Sequence, residues 1–353
     1  MTTLAIAAGG GGDAITAAAL AERFGAVAIM TYSWDRLLID PTPGPRARAD
    51  FRGLIDLGAV ARVPSSADLR VGRSTVPPLA RHLRQPLLLM DPTDGAVGLA
   101  AQIAGAAEVF GADEVVVVDV GGDILGRGDE PELRSPLADA VALAATVRTG
   151  LPAWAAVAGI GMDGELSPAQ SLARLTALGA TRESDLSAAE FDTFESIWAW
   201  HPSEANGLVA AAAGGWRGTV ETQRRSVVEV TDAATWVYRV DAAVLAKSTP
   251  AHYLGATVSL DEIETLLRER RGYSDIDVER GKRDLPERAP VADAVGCVDR
   301  YARRVAERGV DAMTIRRVLE MARAADPAAA RALRLSLASR RTERFRPPLY
   351  LCR

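Results

Sequence analysis

The chain has 353 residues, room for two domains or one large domain with an added lobe, and its 48% hydrophobic and 25% charged residues exclude a chain disordered throughout. Forty-one Lys and Arg against 46 Asp and Glu leave a formal net charge of -5, so no global basic field draws in nucleic-acid phosphates or anionic lipid. Two cysteines, Cys297 and Cys352, make neither a disulfide framework nor a four-thiolate zinc site, and the three histidines stand too far apart for a ligand motif. No run reaches the roughly 18 apolar residues of a membrane span. Thr2 and Thr3 lead into a short apolar run without the basic flank of a signal peptide. The expected setting is a reducing cytoplasm, with neither membrane nor nucleic acid as partner.

Leu4 to Ala8 is a short apolar run that stops at Gly9-Gly10-Gly11-Gly12-Asp13, and Ala14 to Phe24 carries an alanine-rich helical pattern, so the segment reads as strand, tight turn, helix. Val27 to Tyr32, Pro86 to Met90 and Val115 to Val120 predict further strands, with a helix near Val97 to Phe110 before the last of them. Trp154 to Ile160 predicts another strand, followed by a helix with Ser167 as its cap and Pro168 in its first turn. Continuous apolar runs suit strands covered on both faces. Residues 1 to about 180 therefore predict a doubly wound, mostly parallel, Rossmann-like α/β sheet.

Leu186 to Gly214 reads as mainly helical, interrupted at His201-Pro202. Val227 to Val230 and Thr235 to Val240 predict strands, and Ala242 to Ala246 either extends the second or begins a helix. Ser259 to Glu262 is a capping box opening a helix to about Arg271. Gly272 to Pro290, charged and poor in apolar residues, reads as a surface excursion or mobile loop. Ala292 to Ala325 reads as helices broken near Gly309, and the tail with Arg340, Arg341, Arg344 and Arg346 as a solvated or frayed end. The expected division is an α/β domain over residues 1–250, carrying the ligand site, and a mainly helical C-terminal lobe over 251–353.

Four glycines between a strand and a helix remove every side chain that would keep a ligand from the backbone amides, which makes Gly10, Gly11, Gly12 and Asp13 candidate contacts for a phosphate or carboxylate. Read as a dinucleotide fingerprint, Gly9, Gly11 and Ala14 fit G-x-G-x-x-A, and Asp35 lies roughly 20 residues on, where a ribose-binding acid is sought. NAD(P) is the cofactor of that alternative. Asp13 works against it, since an acid at the helix N-terminus repels a pyrophosphate; its plain reading is a helix cap. In the next loop Trp34 is a candidate stacking platform and Arg36 or Arg46 a bidentate anion clamp, beside Asp40 in the proline-rich turn Asp40 to Arg46. The rival reading packs Trp34 in the core and pairs Arg36 with Asp40 or Asp35.

Asp91-Pro92-Thr93-Asp94-Gly95 and Asp119-Val120-Gly121-Gly122-Asp123 close two further strands. In a parallel sheet these loops emerge at the carboxyl edge, where Asp13, Asp35 or Asp40, Asp91, Asp94, Asp119 and Asp123 would converge, with Gly121 and Gly122 facing the ligand. Carboxylates crowded into one crevice imply a bound cation, a hydroxyl- or amine-bearing substrate, or raised pKa values. Asp119 and Asp123 are the candidate ligands of a divalent ion such as Mg²⁺, and Asp123 a catalytic candidate. His201 lies near a helix N-terminus whose dipole would keep the imidazole neutral, so it is the first candidate for proton transfer, supported by Glu204 and Asn206. A capping or core role is the competing reading of His201. His252 and Cys297 read as structural.

The succession GGGGD at 9–13, Trp34-Asp35-Arg36, DPTPGP at 40–45, DVGGD at 119–123 and HPSE at 201–204 resembles an uncharacterised prokaryotic domain-of-unknown-function family over most of the chain. The resemblance implies a Rossmann-like α/β protein of about this size and brings no activity with it. The function expected from the residues is an enzyme acting on a small polar metabolite (nucleotide, nucleoside, hydroxylated or amino acid) by hydrolysis, elimination or group transfer. The alternatives are an NAD(P)-dependent oxidoreductase and a noncatalytic sensor of a nucleotide-like ligand. The expected partner is the small-molecule substrate, and homo-oligomerisation is left open.

Overall fold

The computed structural model describes residues 1–37, 39–284, 289, 291–324 and 326–353. The first apolar runs become the buried strands β1 (Thr3–Ala7) and β2 (Ala26–Tyr32), joined by α1 (Asp13–Phe24). Gly25 adopts φ 65, the left-handed conformation that ends α1 and turns the chain into β2. The long connection after β2 holds β3 (Phe51–Arg52), β4 (Ile55–Asp56), β5 (Ala61–Arg62), β6 (Asp68–Leu69) and the one-turn α2 (Val76–Leu79). Strands of two residues are too short to carry a periodic signal, which is why none of them is predicted. The alternation resumes with β7 (Leu87–Met90), α3 (Gly95–Phe110), β8 (Glu114–Val120), α4 (Leu137–Arg148) and β9 (Ala153–Ala158). Then follow α5 (Pro168–Ala177), capped by Ser167, β10 (Thr181–Asp185), α6 (Glu204–Ala213), the hairpin β11 (Gly218–Glu221) and β12 (Val227–Val230), and β13 (Trp236–Asp241). The remainder holds α7 (Ala242–Ala246), α8 (Ala251–Leu254), α9 (Leu260–Arg271), α10 (Asp275–Arg283) and α11 (Ala294–Glu307). After them come β14 (Ala312–Thr314), α12 (Ile315–Met321), α13 (Pro327–Arg340), β15 (Phe345–Arg346) and β16 (Leu349–Leu351).

The described residues build a nine-stranded sheet in the order β10-β13-β9-β8-β1-β2-β7-β5-β4. Its centre, β9-β8-β1-β2-β7, is parallel, and antiparallel pairs close both edges. The parallel strands step outward from β1 in opposite directions, to β2 and β7 on one side and to β8 and β9 on the other. The topological switch point of this Rossmann-like sheet therefore lies between β1 and β8, where open α/β sheets bind ligands. One face buries Leu4, Ile6 and Met30 against α3 and α4 and continues to Leu254, Ile263, Leu267 and Ile276, so this core runs past residue 250. The opposite face buries Ala5, Ala7 and Ile29 with residues of α1 and α6. A third core gathers Val298, Val305, Leu319, Leu337 and Tyr350.

Three expectations for the C-terminal part are corrected. Within the predicted loop Gly272–Pro290 lies α10, capped by Ser274 and anchored by buried Ile276 and by Asp275, which accepts the Leu137 amide at 2.7 Å. Its single well-buried apolar side chain gives no helical stripe to read. Residues 285–288 and 290 of that segment, and residue 325 at the end of the helical stretch, lie outside the described residues. Past Gly309 the chain enters β14, part of a second sheet, β12-β11-β14-β16-β15, so the C-terminal part is helical with a small sheet. The basic tail is folded: Arg341 bonds Asp299, and Tyr350 is fully buried.

Candidate active site

A cavity of about 130 Å³ opens at the switch point, lined by the loops after β1, β2, β8 and β9, by residues 201–206, and by Gln223 and Arg316 from the C-terminal half. The glycine loop does something other than expected. Asp13, the first residue of α1, folds its carboxylate back so that Oδ2 accepts the Gly9 amide at 3.0 Å, and Asn206 Nδ2 donates to Oδ1 at 3.1 Å. Asp13 thus occupies part of the anion cradle that the sequence offers to a ligand. The glycines make room for protein atoms: a Cβ on Gly12 would lie 2.6 Å from Ser203 Oγ, and one on Gly9 2.7 Å from Asp13 Oδ2. Gly10, at φ 117, presents its carbonyl to Thr31 Oγ1 at 3.2 Å. Burial raises the Asp13 carboxyl to about 6 against the lowering hydrogen bonds of Asn206 and Gly9.

Beside Asp13 lies an acidic floor. Asp119 on β8, Asp123 in the 3-10 turn Asp123–Leu125, and Asp139 in the first turn of α4 each place a carboxylate oxygen within 4.8 Å of the other two. Asp119 Oδ2 accepts the Gly122 amide at 3.0 Å, whereas Asp139 Oδ1 is buried with no hydrogen-bond partner among the described residues. Burial raises Asp119 to about 7, with Asp13 adding repulsion. Burial and neighbouring acids push Asp123 and Asp139 well above the usual carboxylate range. The loop after β9 adds Asp163 and Glu165. Glu165 is held by the Arg134 and Ser135 amides at 2.6 and 3.0 Å, and Asp163 Oδ2 is a second buried atom without a partner. Burial, then Glu165, raises Asp163 well above its ordinary value. Gly121, at φ 134, makes this possible, because a Cβ there would lie 2.3 Å from Asp163 Oδ2. Gly122 packs on Ser171.

Asp35 lines the cavity, but its carboxylate accepts the Thr75 amide at 2.9 Å and the Thr75 hydroxyl at 2.6 Å. Burial raises it to about 6. Trp34 also lines the wall, with Nε1 donating to Glu279 of α10 at 2.9 Å, and Arg36 stands 3.8 Å from the same carboxylate. Three of the predicted acids do not join the group. Asp40 is buried in a two-pronged ion pair with Arg46, and Asp94 is an exposed residue at the start of α3. Asp91 accepts the Arg48 amide at 2.7 Å away from the cavity. Acids in turns serve their local backbone unless the fold brings neighbours to them.

His201 lines the cavity as expected, and it is neutral for a different reason. Burial, and then the charge of Arg334, hold the imidazole down at about 3, while Nδ1 accepts the Ser203 amide at 3.2 Å. Its Nε2 is buried with no partner among the described residues. Glu204 takes the Gln223 amide at 2.9 Å and the Thr314 hydroxyl, tying α6 to the second sheet. Asn206 is fully engaged, donating to Asp13 and Ser203 and accepting Thr16 Oγ1 at 2.6 Å. It positions Asp13.

Asp139, Asp163, Glu165, Gln223 and Arg316 are not predicted from the sequence. An acid in the first turn of a helix is what any helix favours, so nothing singles out Asp139. Asp163 and Glu165 follow a strand end, the same signal that marks Asp119 and Asp123. Fold and site together define a Rossmann-like α/β protein with an acidic crevice at its switch point. Within that class, the chain belongs to the family described as protein of unknown function DUF1152, whose model matches residues 4–283. No curated protein and no solved structure matches it. None of the helices among the described residues is long and apolar enough to cross a membrane.

Proposed function

We propose that the crevice is the active site of a metal-assisted enzyme that acts on a small polar metabolite by hydrolysis, elimination or group transfer. A divalent cation such as Mg²⁺ is held by Asp119, Asp123 and Asp139. The observation that carries this reading is the approach of those three carboxylates to within 4.8 Å, with Asp139 Oδ1 buried and unpartnered. Three acids at this separation repel one another when ionised, and a hard cation with oxygen ligands removes that cost. Once bound, the ion would polarise a substrate oxygen or acidify a water molecule.

Proton transfer falls to the carboxylates. Asp13, held at about 6, exchanges its proton near neutral pH, whereas an imidazole held at about 3 stays neutral and serves as a hydrogen-bond donor through Nε2. Glu204 and Asn206 fix the 201–206 segment. The NAD(P) alternative has less support, because Asp35 is committed to Thr75 and Asp13 occupies part of the cradle a pyrophosphate needs. The cavity, about 130 Å³, is close to the roughly 150 Å³ that accommodates a benzene ring. The free thiols Cys297 and Cys352 suit a reducing cytoplasm.

Calorimetric titration of the full chain with Mn²⁺ and Mg²⁺, followed by a screen of small hydroxylated and phosphorylated metabolites with and without the metal, tests the reading. Asp123→Asn should weaken metal binding at least about tenfold and abolish turnover. A wild-type chain that binds neither ion refutes the proposal, and one that binds metal and ligand but turns nothing over is a sensor.

A further inference from the structure

Part of the cavity lining is basic. Arg36, from the loop after β2, and Arg316, from the first turn of α12, line the cavity together with Gln223. Arg224, next in the chain to Gln223, and Lys282 of α10 are exposed residues outside the lining whose charges reach this part of it. Arg36 and Arg224 repel Arg316, and those three repel Lys282. Burial, together with this repulsion, lowers Arg316 to about 10 and Lys282 to about 8.

Several buried acids elsewhere in the molecule hold arginines closely. Arg46 grips Asp40 through two nitrogens, Arg317 and Arg308 share Glu221 at 2.7 and 2.6 Å, and Arg341 holds Asp299. At this wall the pairing is loose. Arg36 stays 3.8 Å from Glu279, whose Oε2 already accepts Trp34 Nε1 and the Gly44 amide, both at 2.9 Å. Arg316 stays 3.9 Å from Glu204, which is occupied by Gln223 and Thr314.

The backbone at this point is also unusual. Arg224 and Arg225 sit consecutively at φ 57 and 63, a region non-glycine residues rarely adopt and hold only where the surroundings enforce it. The Arg224 amide donates to Glu320 at 3.0 Å and the Thr222 amide to the Ser226 carbonyl at 2.8 Å, which pins the turn. Such backbone strain concentrates at ligand clamps.

We propose that this basic wall is a phosphate clamp and that the substrate is a small phosphate monoester, its phosphate held by Arg36, Arg224 and Arg316 and its hydroxyl-bearing end facing the acidic floor. This rests on the enzymatic reading above and supplies its substrate class. A carboxylate is satisfied by one guanidinium fork, whereas three guanidinium groups and an ammonium match a dianion with three peripheral oxygens. The glycine loop is a weaker seat, since Asp13 takes its Gly9 amide and brings a like charge to it.

The test uses the full chain, with inorganic phosphate and acetate as probes and calorimetry as the readout. Phosphate should bind the wild type and lose at least about tenfold in affinity in Arg316→Gln, and acetate should bind at least about tenfold more weakly than phosphate. Arg224→Gln, on an exposed loop, should weaken phosphate several-fold without a change in melting temperature, so that a folding defect in Arg316→Gln does not decide the matter. Asp123→Asn should retain phosphate binding. Phosphate binding that is absent, insensitive to both arginine variants, or matched by acetate overturns the clamp. If Mn²⁺ binds and phosphate does not, the clamp alone fails; if phosphate binds through the arginines and Mn²⁺ does not, the metal-assisted reading fails.

Discussion

Replacing Asp119 by Asn removes one ionisable group from the floor while keeping its size, and the pH dependence of the resulting stability change measures how strongly the fold resists ionising that acid. In the folded chain Asp119 keeps its proton to about 7, against 3.8 for an ordinary aspartate. Between these values the folded state binds more protons than the unfolded one, so this group's contribution falls as the pH rises and is lost above about 7. From pH 5 to pH 8 the loss amounts to roughly 3 kcal/mol, or about 5 °C in Tm for a chain of this size. His201 acts in the opposite sense over part of this range, since its folded value of about 3 lies below the ordinary 6.5, but it is common to both proteins and cancels in their difference. Differential scanning fluorimetry of wild type and Asp119→Asn in metal-free buffers should show the variant gaining on the wild type by about 5 °C from pH 5 to pH 8. Mn²⁺ at a hundred times its dissociation constant should then restore about 2.7 kcal/mol to the wild type at pH 8 and little to the variant. A gap that does not widen with pH would show that Asp119 ionises freely, and the case for a buried, cation-seeking floor would collapse.

Gly121→Ala should cost about 1–3 kcal/mol in denaturant unfolding and weaken Mn²⁺ binding, because φ 134 is hostile to a side chain and the new Cβ would meet Asp163 at 2.3 Å. Unchanged stability would mean that the 121–163 contact relaxes freely. Glu279→Ala removes the acceptor shared by Trp34 and Gly44, so amide exchange across 275–283 should quicken while the core strands stay protected. Uniform protection in both regions would contradict the anchoring role given to Glu279.

The central sheet is readable because its strands are continuous apolar runs: Leu4 to Ala7, Ala28 to Tyr32 and Val115 to Val118 are buried on both faces and need no alternation. Acids placed just after those strands were readable for the same reason, and Asp13, Asp35, Asp119 and Asp123 do meet at the cavity or its floor. Asp40 and Asp94 carried the same local signature, and only the third dimension separates an acid facing a cavity from one facing Arg46 or water. The α10 segment was misread because its charges are satisfied by remote partners, Arg280 by Glu264 for example, which turns a polar stretch into an anchored helix. Gln223 gives no signal because it sits in the short turn between β11 and β12, and Arg316 gives none because it sits in the first turn of the seven-residue α12, too short for a periodic stripe.

Asn206 joins α1 to α6 with an amide, and the choice of a neutral connector sets the acidity of what it touches. A carboxylate of the same shape would add one more like charge against Asp13 and drive its proton affinity beyond the range in which it is exchanged near neutrality. The side chain that rivets two helices together is thus also the one that tunes the neighbouring acid, and a substitution there would be felt as architecture and as chemistry at once.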